Sequence, residues 1–168
     1  MKDLLPSVTG VPHDDGDSGD VEKGKRLVRA SEASSSPQSP EMEAFFQAVS
    51  EIKHMLAHIK EQQENLKGMH EKSKASTRME DTKRFAVDMR DVVDDVGSTA
   101  THAKKQLEAL DRLNREATGV PGNEVGSSNE RIRSAVSMGL KKKLRDLMSE
   151  MGSLRQRIQK ENREAVGR

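Results

Sequence analysis

Phe45, Val49, Ile52, Leu56 and Ile59 recur along the chain at alternating spacings of four and three, and Gln63 and Leu66 continue the register. At 100° per residue such spacing lays one apolar stripe along an α-helix, which predicts a helix from 41 to about 70. Its start is written in Ser39-Pro40-Glu41: a hydroxyl to cap free amides, a proline suited to the first helical position, and a carboxylate at the positive dipole end. A second stripe runs Ala86, Met89, Val93, Val96, Ala100, Ala103, Leu107 and Leu110, within a helix predicted over 77–117. Thr77 and Glu80 have the spacing of a capping box at its start. Gly97 interrupts this helix; close packing of a neighbour is the expected reason, a mild flexible point the alternative. The Gly- and Pro-rich stretch 118–129 reads as a loop. A third helix follows over 128–166, opened by Ser127 and Glu130 as a second capping box and striped by Leu140, Leu144, Leu147, Met151, Leu154 and Ile158.

Three amphipathic helices in sequence can hide their stripes only against one another, so the expected fold is all-α: an elongated, up-down-up antiparallel three-helix bundle over 41–168. Residues 1–40 differ in kind. They hold most of the proline, much of the serine and glycine and the acidic run Asp14, Asp15, Asp17 and Asp20, too few apolar groups to offset ordering entropy, and predict a disordered tail.

Composition sharpens this picture. Charged residues make up 34% and aromatic residues 2% of 168, with no Trp, Tyr or Cys. The core must come from Leu, Ile, Val, Met and Ala, a helical palette, while disulfides, thiol catalysis and Cys-ligated zinc are excluded. No apolar run approaches the ~18 residues a membrane span requires, so the chain reads as lacking a span. The net charge of +1 is unevenly spread: residues 127–168 carry 11 basic against 5 acidic side chains.

Candidate chemistry is sparse. His54 and His58 lie one helical turn apart, but the zincin pattern requires Glu directly after the first His, and Met55 stands there. They read as surface histidines, and no metal or cofactor is called for. Gly119, Gly122 and Gly126 lack the Lys-Ser or Lys-Thr of a phosphate loop. Lys141-Lys142-Lys143 with Arg145 raises nucleic-acid binding, which the near-neutral charge and the absence of Trp and Tyr platforms argue against. No residue set supports an enzyme. Off the second stripe, Phe85, Val92 and Leu113 stand at multiples of seven on one flank, and Val136 and Met148 widen the third stripe. One reading is simply a broad core. The other is a groove awaiting a fourth amphipathic helix.

Several stretches resemble one family, the plant-type plasma-membrane syntaxins. Met1-Lys2-Asp3-Leu4-Leu5 is similar to their start, Glu43-Ala44-Phe45-Phe46 to the opening of their first regulatory helix, and Lys105 to Arg112 to the end of the second. The third helix carries the most specific match, in Arg131 to Val136, Gly139 to Leu144, Leu154-Arg155 and Arg163 to Val166. Asn162 departs from the Tyr usual in the family. The resemblance implies the N-terminal Habc bundle of a Qa-type SNARE, cut before the SNARE heptad helix and the membrane anchor. It further implies a non-enzymatic role in vesicle docking, fusion and exocytosis or cell-plate formation, at the cytoplasmic face of the plasma membrane or endomembranes, with this chain itself cytosolic and monomeric. Implied partners are SNARE helices, received in the groove of Phe85, Val92, Leu113, Val136 and Met148, and an SM-family protein that docks the N-terminal peptide at Asp3, Leu4 and Leu5. In that peptide Leu4 replaces the Arg of the animal pattern. The competing reading is a structural coiled-coil tether or oligomerisation module.

Overall fold

In the computed structural model, which describes residues 39–167, three α-helices are joined by two short connections and no strand occurs among the described residues. Helix α1 spans Pro40–Ala75, α2 Met79–Ala117 and α3 Ser128–Val166. At ~1.5 Å rise per residue each is about 55 Å long. The three residues between α1 and α2 leave no room for anything but a reversal, and α3 reverses again, giving the expected antiparallel up-down-up bundle. Helix α1 packs more extensively on α2 than either packs on α3.

The first stripe is observed without exception: Phe45, Val49, Ile52, Leu56, Ile59, Gln63 and Leu66 are all buried, extended by Met42 before and His70 after. Pro40 is the first residue of α1 as predicted, although the helix runs five residues beyond the expected end to Ala75.

The second helix differs in two respects. It begins at Met79, with Arg78 as N-cap and no side-chain cap bond, so Thr77 falls one position too early for the predicted box. The hydroxyl of Ser76 instead accepts from the Arg78 amide at 3.3 Å. Its buried face is also rotated: Met89, Val92, Val96, Ala103, Leu107, Leu110 and Ala117 are buried, whereas Val93 and Ala100 are half-buried and Ala86 is exposed. Val92 therefore belongs to the core and not to a flank. It lies 18 residues before Leu110, five full turns at 3.6 residues per turn, so the two point the same way.

Gly97 also has a simpler setting than expected. A Cβ there meets nothing within 4 Å, so no neighbour's close packing requires the glycine. Gly97→Ala is expected to raise stability by about 0.5–1 kcal/mol, because it removes backbone freedom of the unfolded chain at no steric cost. Thermal denaturation of the variant beside the parent measures this.

At α3 the box is half realised. The Ser127 hydroxyl accepts from the Glu130 amide at 3.2 Å, but the Glu130 carboxylate accepts from the Gly126 amide, one residue earlier than the motif specifies. Gly126 has φ +89° and Gly122 φ +88°, the left-handed region that glycine enters freely, and these two positions turn the α2–α3 connection. The third stripe is buried except for half-covered Leu144, and toward its N-terminus two polar residues, Arg133 and Ser137, take the place of apolar ones.

Candidate partner-binding groove

The antiparallel register of α2 and α3 is marked at one end by two polar pairs and at the other by a shared crevice. Lys141 Nζ donates to Asp111, and Asn114 Nδ2 donates to the Ser137 hydroxyl at 2.9 Å. At the other end Met89, Arg90 and Val93 face Ile158 and Gln159 across an open crevice. Sequence spacing sets five positions along one groove, and the structure separates them. Phe85, Val136 and Met148 are half-buried and rest on the core, Val92 is inside it, and Leu113 is half-exposed.

Leu113 has left the seam altogether. With Ala44, Phe45, Ala117 and Val120 it lines a mostly apolar crevice of about 260 Å³ between the start of α1 and the end of α2, which Arg133 of α3 also borders. The reason is the mismatch between 7 and 3.6: a straight helix drifts ~20° per heptad, so the four heptads from Phe85 to Leu113 rotate the side chain by about 80°. Along the axis the remaining positions are also far apart. Because Asn114 is level with Ser137, Val136 lies some thirty residues of α2 beyond Phe85, roughly 45 Å at ~1.5 Å per residue.

The half-covered apolar surface of the α2–α3 seam is instead completed by residues that spacing assigns to the core. Ala86 and Val93 line the crevice of about 360 Å³ opposite Arg155 and Ile158. The signal for this was present: Val93 stands five full turns before Asp111, the residue that pairs across the seam with Lys141. On α3 itself, Lys142 and Arg145 stand beside exposed Met138 along a shallow hollow lined by that helix alone.

The other end of α1 is closed by charge. His70, 1% exposed, directs Nε2 to Glu161 of α3 at 2.8 Å, and Lys74 donates to the same oxygen at 3.0 Å. The hydrogen bond from His70, and after it that from Lys74, holds the Glu161 carboxyl at about 2, well below its ordinary 4.5. A depressed carboxylate contributes stability that is full above its unfolded value and lost as pH falls through the folded one. The melting temperature of the parent is thus expected to lose its advantage over Glu161→Gln between pH 4.5 and about 2. A constant gap between the two across that window contradicts the assignment.

His58 contacts Asp95 at 2.6 Å on the exposed surface, His54 is exposed, and among the described residues no group of three His, Cys, Asp or Glu side chains is placed to hold a metal ion. No described helix is long and apolar enough to cross a membrane. Asp3, Leu4 and Leu5 lie outside the described residues.

Against known proteins, the family model described as Syntaxin matches residues 39–168. A protein named putative syntaxin-131 of Arabidopsis thaliana is 33% identical over 168 residues, 100% of this chain and 53% of that protein. Syntaxin-132 of the same plant is 36% identical over 169 residues, again with 100% and 53% covered. Syntaxin-121 of Oryza sativa subsp. japonica is 52% identical over 65 residues, 39% of this chain and 20% of that protein. The chain spans about half the length of the first two relatives.

Proposed function

The chain belongs to the syntaxin family, whose model covers all three helices, and from that membership we propose that the bundle is the regulatory N-terminal domain of a target-membrane SNARE. In this reading it acts in vesicle docking and fusion at the cytoplasmic face of the plasma membrane or endomembranes. It does so by binding, not catalysis, receiving an amphipathic SNARE helix along the α2–α3 seam and offering Asp3, Leu4 and Leu5 to an SM-family protein. The observation that carries the reading is the coincidence of the family match with a bundle on which Phe85, Val93, Val136 and Met148 are only half-covered where they rest on the core. Half-covered apolar positions spread over about 45 Å of the bundle suit a long helix with anchors at i, i+3, i+4 and i+7.

A labelled SNARE-helix peptide from syntaxin-132 tests it by fluorescence anisotropy. Capture by the bundle is expected to be weak, since an encounter in trans lacks the millimolar effective concentration of a tethered helix. Val136→Asp with Met148→Asp should weaken it at least about tenfold, the factor that ~1.4 kcal/mol represents, while circular dichroism shows the helices retained. A folded double variant that binds as the parent does removes the seam as the site. For the N-terminal peptide, deletion of residues 1–6 should lower affinity for a cognate SM-family protein, and unchanged affinity removes that part alone. The competing tether reading predicts dimers at micromolar concentration in sedimentation, where a self-contained bundle stays monomeric.

A further inference from the structure

Opposite its buried stripe, α3 presents a line of ten exposed positions at spacings of three and four, from Arg131 to Arg163. Five are cationic: Arg131, Lys142, Arg145, Lys160 and Arg163. Met138, 66% exposed, stands among them, and the rest are Ala, Ser and Gln. No carboxylate stands in the line, whereas the equivalent line on α1 includes Glu43 and Glu61 and that on α2 includes Asp94. At ~1.5 Å per residue the cations extend over about 48 Å.

The five carboxylates of α3 point elsewhere or flank the line. Glu130 turns back to the Gly126 amide, Glu150 stands 3.7 Å from Lys60 of α1 and accepts from Gln63, and Glu161 is held by His70 and Lys74. Asp146 and Glu164 flank the line, but their pairs with Lys142 and Lys160 are 3.5 Å and 4.0 Å long and more than half exposed. Exposed pairs of that length hold their partners weakly. The side chains of Arg131, Arg145 and Arg163 have no ion pair or hydrogen bond among the described residues. At the edge toward α2, Lys141 is already taken by Asp111.

The shape of this face selects among anionic partners. It is the outside of a single long helix, and its hollow beside Met138 is shallow and lined by α3 alone. A nucleic acid would ask for base-stacking platforms or a groove-entering motif, and the chain has neither Trp nor Tyr. A planar array of mobile anions asks for no concavity, since each headgroup moves to its cation, and Met138 offers an apolar side chain to the interface. We propose that this face of α3 lies against the anionic surface of a lipid bilayer. The line shares no residue with Phe85, Val93, Val136 or Met148, so the inference is independent of the seam. Only its setting, a cytoplasmic leaflet carrying anionic lipid, rests on the function proposed above.

Flotation of the full 168-residue chain with vesicles tests this. Phosphatidylcholine vesicles with about one-third phosphatidylserine should bind at least about tenfold more tightly than phosphatidylcholine alone at roughly 0.1 M salt. The gain should vanish near ~1 M, where screening shortens to ~3 Å. Arg145→Gln, Lys160→Gln and Arg163→Gln together should remove most of the gain, at about fivefold per cation. Lys53→Gln, Lys83→Gln and Lys105→Gln together remove the same charge from exposed positions on α1 and α2 and should leave most of the gain in place. Should either triple variant lose helix content by circular dichroism, Arg145→Glu against Lys105→Glu repeats the comparison with one residue each. No gain with the parent overturns the proposal, and so do equal losses in the two variants, which would assign binding to net charge. Tighter binding of polyglutamate than of the vesicles gives the face to an acidic polypeptide and overturns it as well.

Discussion

Val92→Asp is expected to lower the stability of the bundle by about 3–5 kcal/mol, because it places a carboxylate with no cationic partner in the closed interior between the helices. Val92 is 9% exposed and belongs to the same packed cluster as Val96, Leu107 and Leu110. A domain of this size has only ~5–15 kcal/mol in total, so the variant stands near the edge of folding. The effect carries a pH signature. Burial raises the carboxyl above its ordinary ~3.9, so the neutral acid is the form the folded state tolerates. The destabilisation is then largest at neutral pH and shrinks as pH falls from there toward ~3.9. Val93→Asp, one residue along, should cost well under half as much, since Val93 is half-buried at the open seam. Urea denaturation of the two variants measures the difference; equal midpoints would mean that α2 is rotated from the register described.

The same contrast in burial governs which variants can probe partner binding. A charge at Val92 would remove any partner binding by unfolding the bundle, whereas Val93, Val136 and Met148 are only half-covered and can be altered at less cost to the core.

Arg133→Ala is expected to cost about 2–4 kcal/mol, while Arg133→Met should cost less than about 1 kcal/mol or even stabilise. The guanidinium lies over the Phe45 ring, 5.6 Å from its centroid, and Nε donates to Met42 Sδ at 3.3 Å, yet Nη2 has no partner among the described residues. Alanine removes the long stem and the cation–π contact and opens a void beside Phe45 at the start of α1. Methionine keeps most of the stem's packing and discards a buried charge whose hydrogen bonding is incomplete. Thermal melts of both variants separate packing from charge. If methionine is as costly as alanine, the charge itself holds this end of the bundle together.

The two ends of α1 show how differently its neighbours were readable. Phe45 to Leu66 repeats 4-3-4-3 without interruption, and every one of those positions is buried, Gln63 included. Arg133 and Ser137 stand at core positions of α3 that their residue types do not announce, since nothing local tells a buried arginine from an exposed one. What places Arg133 inside is the presence of Phe45 and Met42 on α1, about ninety residues earlier in the chain. His70 is similar: it falls on the α1 stripe after Leu66, but its partner Glu161 comes from the far end of α3.

Three long helices, the places of their loops, an aliphatic core and the family resemblance were all legible in the order of residues alone. These follow from local rules: the 3.6-residue period, caps, and Gly and Pro at breaks. Which edge of the α2 stripe faces inward was settled by packing, because Val92 and Val93 differ by 100° about one axis and both fit an apolar face. Packing also turned Leu113 toward α1, since drift accumulates over heptads and matters only once neighbouring helices fix the frame. The hollow that Asn114, Asn123 and Arg133 help to line was equally illegible, for it exists only where two helix ends and a loop meet.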